Sequence, residues 1–409
     1  MDMLNNDCLL QIFSYLKLRD LIALEKESER FQEPVQITYR SFTVFDINKE
    51  ECDEHDIAAE MFSKVGPYVR ILKGIGGGKY HVFTEEMFGM FIENCPNVEH
   101  IDLLEIPLED MDVLKYLNEG EEHSGLRHLK SISLIGCNLS DTDAMLYNWF
   151  RNAEQLESVD LSRNQKITGA CLTFFNKVKR MSLKRCISLE RHHFVNFCRE
   201  NQNLTCLKIG GCSDINQTWI TIMHDQLKNL TELFITCPDF PDSINLTPLA
   251  DLPQLVKLHL HSCNSAAIPL LKRLSFHNRL KVLEYSLSNT TGARQEILCE
   301  SVKIRGLKKY TTIFWPAVDD NCLRLSTMEL LEELHIPGSE VTDDIYQFIM
   351  KCPTLKYVDL KCCMRITDAF AEKIIPELYN NFKQLRINAN FTNISKEYKQ
   401  ILCGKNRLL

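Results

Sequence analysis

Three stretches of the chain carry residue types that could do chemistry. Gly74-Ile75-Gly76-Gly77-Gly78-Lys79-Tyr80 has the glycine density of a loop that wraps phosphate. A nucleotide-binding loop needs G-x-x-x-x-G-K followed by serine or threonine, whose hydroxyl reaches magnesium. Here position 73 is Lys and position 80 is Tyr, so the stretch reads as a loop after an early strand. The pairs His192-His193 and His259/His261 offer imidazoles to a metal. The first adjoins a predicted helix start and the second alternates along a predicted strand. No carboxylate or cysteine stands at ligand spacing beside either pair. Neither G-x-S-x-G nor H-E-x-x-H occurs. The expectation is a non-catalytic chain with no catalytic, metal-ligating or cofactor-binding residues and no cofactor.

Composition narrows the classes further. The 409 residues are 44% hydrophobic and carry a net charge of -8. That acidity argues against nucleic acid or an anionic membrane as the main partner. No run approaches the roughly 18 apolar residues of a spanning helix, and the acidic start Met1 to Asp7 is no secretory signal. Seventeen cysteines are scattered over the length, which fits free thiols in a reducing compartment, cytoplasm or nucleus.

The elements that would position any site come from a repeat. The pattern L-x-x-L-x-L is clearest at Leu129/Ile132/Leu134, Leu156/Val159/Leu161, Val178/Met181/Leu183, Leu204/Leu207/Ile209, Leu230/Leu233/Ile235 and Leu255/Leu258/Leu260. It resumes at Leu331/Leu334/Ile336, Leu355/Val358/Leu360 and Phe382/Leu385/Ile387, with weaker copies from Phe42, Val69, Val98, Leu280 and Leu307. The mean step is about 26 residues, inside the leucine-rich-repeat range. The fourth and sixth residues face one side of a short strand. A single repeat cannot bury that face, whereas stacked repeats bury it continuously. The stretches Asp143 to Phe150 and Asp343 to Met350 have helical apolar spacing, the second with Thr342 as N-cap. The expected fold class is therefore α/β: a leucine-rich-repeat solenoid, a curved horseshoe with parallel strands on the concave face and helices on the convex face, over residues 39–409 with about 13 to 14 repeats. Residues 285–325 fit the pattern least well.

Cys137, Asn164, Cys186, Cys212, Cys263 and Cys363 each fall three residues after the last strand apolar. A side chain there can turn inward to backbone groups. One cysteine per repeat with no paired spacing makes packing, and not zinc, the reading. The concave positions flank the fourth residue and follow the sixth. They include Arg180, Ser182, Lys184, Lys208, Lys257, His259 and His261, then Glu333, His335, Tyr357, Asp359, Lys361 and Arg386. The middle of this set is basic. The candidate substrate-binding residues are Arg180, Lys184, Lys208, Lys257, His259, His261 and Tyr357, facing an acidic or phosphorylated segment. A solvated face with chance charge stays open beside that reading.

Residues 1–38 stand apart. Leu9, Ile12, Phe13 and Leu16 follow i, i+3, i+4, i+7 with Asp7 able to cap, and a second helical stretch follows Asp20. Glu25 to Arg30 reads as solvated. About 30 helical residues bury little alone, so their apolar surface needs a neighbour. From Leu4 to Leu16, then Arg19-Asp20-Leu21, the chain resembles an F-box, roughly L-P-x-E-I-L-x-x-I-F-S-Y-L and D-L, with Leu4, Leu9, Ile12, Phe13, Leu16, Asp20 and Leu21 in register. Asn5 replaces the usual proline, Glu27-Ser28 the frequent Val-Cys, and Phe31 the usual tryptophan. The repeats, with their phrases Cys363 to Asp368 and Asn164 to Gly169, resemble the cysteine-containing subclass of F-box/leucine-rich-repeat proteins. That resemblance implies a substrate receptor of a Skp–cullin–F-box ubiquitin ligase, whose seven matched residues bind the Skp adaptor and through it a cullin scaffold. A stand-alone repeat scaffold or inhibitor with a helical cap remains the alternative.

Overall fold

The computed structural model describes residues 4–50, 55–76, 84–108, 126–138, 146, 153–175, 177–213, 215–236, 243–287, 293–313, 318–381 and 384–403. The chain divides into two compact units, Met1–Asn201 with Cys212–Asp214, and Gln202–Gly211 with Ile215–Leu409. The helix expected over 143–150 (Leu146 apart) and positions 77–80 of the glycine-rich loop lie outside the described residues.

The first unit opens with three helices, α1 (Asn6–Phe13), α2 (Leu18–Glu27) and α3 (Glu29–Tyr39). Strands β1 (Val44–Asp46), β2 (Ile71–Ile75), β3 (His100–Leu104), β4 (Ser131–Ile135), β5 (Ser158–Asp160) and β6 (Arg180–Lys184) follow. Each pairs in parallel with the next in chain order. Helices α4 (His55–Val65), α5 (Glu85–Asn94) and α6 (Arg191–Glu200) connect or follow them. The second unit carries β7 (Cys206–Gly210), β8 (Glu232–Thr236), β9 (Lys257–Cys263), β10 (Val282–Leu287), β11 (Lys309–Ile313), β12 (Glu333–His335), β13 (Tyr357–Asp359) and β14 (Arg386–Asn388), again parallel and in chain order. Both units have the leucine-rich-repeat fold.

The reason is the apolar triplet. Leu129, Ile132 and Leu134 are buried, as are Leu204, Leu207 and Ile209, and Leu355, Val358 and Leu360. Each such side chain contributes roughly 1.5–3 kcal/mol, and parallel stacking is the arrangement that covers all of them. Gly74 takes the sixth position of its repeat because Ile106 and Ile47 fill the space, each within 2.9 Å of where a Cβ would stand. The same loop's Gly76 passes so close to Glu105 that a Cβ would strike its carbonyl. These glycines answer to packing, not to phosphate.

The ninth residue of the repeat stitches neighbours together. The Cys137, Cys186, Cys212 and Cys363 thiols donate to the sixth-position carbonyls of the preceding repeats, Leu103, Leu161, Leu183 and Ile336, at 3.2–3.6 Å. Asn164 does the same to Leu134 at 2.6 Å and also holds the Leu161 carbonyl at 2.9 Å. Cys263 departs, donating to Leu260 of its own repeat. Burial pushes the Cys137 thiol up to about 12 and Cys363 up to about 11. They are inert packing groups, as expected. All described cysteines are free thiols.

Three expectations need correction. The last repeat does not start at Phe382, which lies outside the described residues. The ladder pairs Val358 with Ile387, so Ile387 holds the fourth position and the repeat begins two residues later. The left-handed backbone agrees. It falls on the eighth residue at Glu105, Arg163, Arg185, Ser262 and Cys362, and on Phe391 with the corrected start. The helix expected from Asp343 begins at Ile345, with Thr342 Oγ1 accepting from the Asp344 N–H. Within 285–325 the described residues are irregular only in part: β10 and β11 pair in register through Ser286 and Ile313, while the β9–β10 pairing shifts between Tyr285 and Leu287. Tyr285 and Tyr310 replace leucines there, and their buried hydroxyls meet at 2.6 Å, with Ser301 2.9 Å from Tyr310.

Candidate functional site: a helical face and a strand face

At the amino terminus, Asn5 and not Asp7 is the N-cap of α1, its side chain accepting from the Cys8 N–H at 2.9 Å. The second helix starts at Leu18, before Asp20. The charged Glu25 to Arg30 stretch is not simply solvated. Glu25 accepts from the Tyr39 hydroxyl and pairs with Lys64 of α4 at 2.8 Å, Lys26 pairs with Glu60 at 2.7 Å, and Arg30 donates to the Leu4 carbonyl. The third helix, α3, was not expected from the spacing.

The seven residues matched at the sequence level separate into two groups. Leu9, Phe13 and Leu21 are fully buried and hold the three helices together, with Phe31 edge-on to Phe13 at 5.9 Å. Leu4 and Leu16 are half-buried, Asp20 is exposed, and Ile12 is exposed. Sequence reasoning missed two further exposed apolar residues of this module, Tyr15 and Ile37. Tyr15 was legible as the residue one turn beyond Ile12.

On the strand face of the second unit, the third and fifth positions form two rows. The ladder sets Glu232 against Lys257, Phe234 against His259, and His259 against Glu284. It continues with Lys309 against Glu333, His335 against Asp359, and Tyr357 against Arg386. Glu284 lies 3.4 Å from His259 Nδ1 and 3.2 Å from His261 Nε2. Contacts with His259 and then His261 hold its carboxyl well below the usual carboxylate range. Phe234 lies 4.5 Å from the His261 ring and 5.9 Å from that of His259. Lys257 reaches Glu232 at 3.7 Å, and Glu333 takes both Lys309 at 2.6 Å and His335 at 3.1 Å. The His335 ring lies 5.1 Å from Tyr357.

The face expected to be basic is therefore interleaved acid and base. Lys257, His259, His261 and Tyr357 do come together on it, with Lys208 paired beside Phe234 in the ladder. Arg180 and Lys184 lie on β6 of the first unit, beside the buried Ser182 to Ser162 hydroxyl contact of 2.8 Å. The missed members are Glu232, Phe234, Glu284 and Lys309, which occupy the same repeat positions. The expectation of no ligand set at His192-His193 also changes. Glu190, two residues earlier, brings a carboxylate within 3.2 Å of His192 Nδ1.

No family model matches the chain, and no curated protein matches it. Solved structures align with the chain at 14% identity. An internalin from Listeria monocytogenes aligns over 95% of this chain and 92% of its own, with a TM-score of 0.45. A chain of the yeast Rad7 and Elc1 complex aligns over 96% and 90%, with a TM-score of 0.47. A chain of the mouse RP105/MD-1 complex aligns over 86% and 61%, with a TM-score of 0.44.

Proposed function

We propose that the chain is the non-catalytic substrate-recognition subunit of a Skp–cullin–F-box ubiquitin ligase in the cytoplasm or nucleus. Helices α1–α3 dock to the Skp adaptor, which links them to a cullin scaffold, and the repeat strand face holds the protein to be modified. One observation carries this reading. The helical module buries Leu9, Phe13 and Leu21 for its own stability yet leaves Tyr15 83% exposed and Ile12 39% exposed. A module that only closed a repeat stack would turn polar residues outward. An exposed tyrosine is instead the material of interface hot spots. Two of the three departures from the F-box pattern keep the helical frame: Asn5 caps α1 where the family has proline, and Phe31 packs on Phe13 where it has tryptophan.

The alternating charge on the second unit's strand face supports a partner segment carrying both signs over one that is purely acidic or phosphorylated. Complementary pairs of this kind fix register and exclude wrong partners more than they add affinity.

A capping role for α1–α3 draws on the ties to α4 through Glu25–Lys64 and Lys26–Glu60. The double substitution Ile12→Ala with Tyr15→Ala separates the two readings. Adaptor docking predicts that co-purification with the Skp adaptor is lost while circular dichroism is unchanged. Full retention of the adaptor would assign the module to capping. The contrasting change Leu9→Ala removes a core side chain and should lower stability by about 2–5 kcal/mol.

A further inference from the structure

We propose that Glu190, His192 and His193 form a surface site for a borderline divalent transition ion, zinc being the representative. The three stand at the start of α6, and a ligand atom of each lies within 4.8 Å of the others. Glu190 Oε2 and His192 Nδ1 are 3.2 Å apart, and the two imidazole centroids 3.8 Å apart. Zinc bonds nitrogen and oxygen at about 2.0–2.2 Å, so tetrahedral donors sit roughly 3.3 Å from one another. The Glu190–His192 pair already has that separation, and side-chain rotation closes the rest.

The backbone beneath the triad is fixed. Glu190 donates its N–H to the Thr168 carbonyl at 2.8 Å, and the Phe194 N–H returns to the Glu190 carbonyl at 3.2 Å. Gly169, with a φ of 98°, packs so closely that a Cβ there would stand 3.1 Å from that of His193. The chain before α6 thus holds His193, half-buried, in place beside the exposed Glu190 and His192.

Donor chemistry selects the ion. Two imidazoles with one carboxylate suit zinc, nickel or copper and not calcium or magnesium, which take oxygen ligands. The positive end of α6 opposes any cation held by charge alone. Nitrogen coordination overcomes that opposition for a borderline ion and not for a hard one. Three protein ligands leave the fourth position open to water.

The experiment is calorimetric titration of zinc chloride into the tag-free full chain in a non-coordinating buffer at about pH 7.5. The wild-type chain should show a stoichiometric uptake that His192→Ala with His193→Ala abolishes, far-UV circular dichroism being unchanged. Glu190→Gln should weaken it about tenfold or more. Any uptake by the exposed thiols of Cys8 and Cys362 is common to both chains, so the difference between them reads this site. Equal uptake by wild type and double variant overturns the proposal.

Discussion

A single buried amide shows how the stack is held residue by residue. Asn164 is fully buried and donates to carbonyls of two successive repeats, those of Leu134 and Leu161. Asn164→Ala strands the Leu134 carbonyl away from water, so chemical denaturation should show a loss of about 1–3 kcal/mol. This ninth position was legible from spacing alone, because any inward turn after the strand must satisfy backbone groups and cysteine or asparagine recurs there. The helix start was not. Asp7 and Asn5 are both competent caps, and only the backbone geometry chooses Asn5.

At the scale of the element, the β8–β10 face is a lesson in what alternation reveals. Period-two spacing correctly turns Lys257, His259 and His261 outward, and the repeat step correctly aligns them with β8 and β10. A search for one charge sign passed over Glu232 and Glu284 in the same rows, although pairing between strands decides the local field. The consequence is a pH dependence of definite sign. Glu284 has a folded-state value held below its ordinary 4.5. Its contribution is therefore complete above that value and is lost as pH falls through the folded-state range. Urea midpoints measured from about pH 6 down to pH 3 should decline along this limb. Glu284→Gln should make that decline shallower, and an unchanged slope would remove Glu284 from the account.

For the whole molecule, nearest-neighbour stacking predicts local consequences from local damage. Hydrogen exchange on Asn164→Ala should show lost protection in β4–β6 of the first unit, with β8–β14 of the second unit keeping wild-type protection. Loss spread evenly over both units would mean that they unfold together. The fourteen repeat starts anticipated the strands because each apolar triplet is a local signal repeated. Helix α3 escaped notice because Pro34 lies inside it and because its charged approach finds partners, Lys64 and Glu60, only after the first repeat folds back.

The second residue of the repeat, in two runs of neighbouring repeats, has an implication for how such a chain could lengthen. Arg70, Glu99, Lys130, Glu157 and Lys179 alternate in sign along the first unit, with Glu99 gripped by Arg70 at 3.4 Å and Lys130 at 2.7 Å, and Lys179 on Glu157 at 2.6 Å. Lys308, Glu332 and Lys356 repeat the device in the second unit, and Glu332, between its two lysines, is pulled down to about 2. Tandem duplication of one module within these runs would set like charges side by side, whereas duplication of two would preserve the alternation. Each of these two runs thus has an electrostatic parity, favouring growth or shrinkage by even numbers of modules.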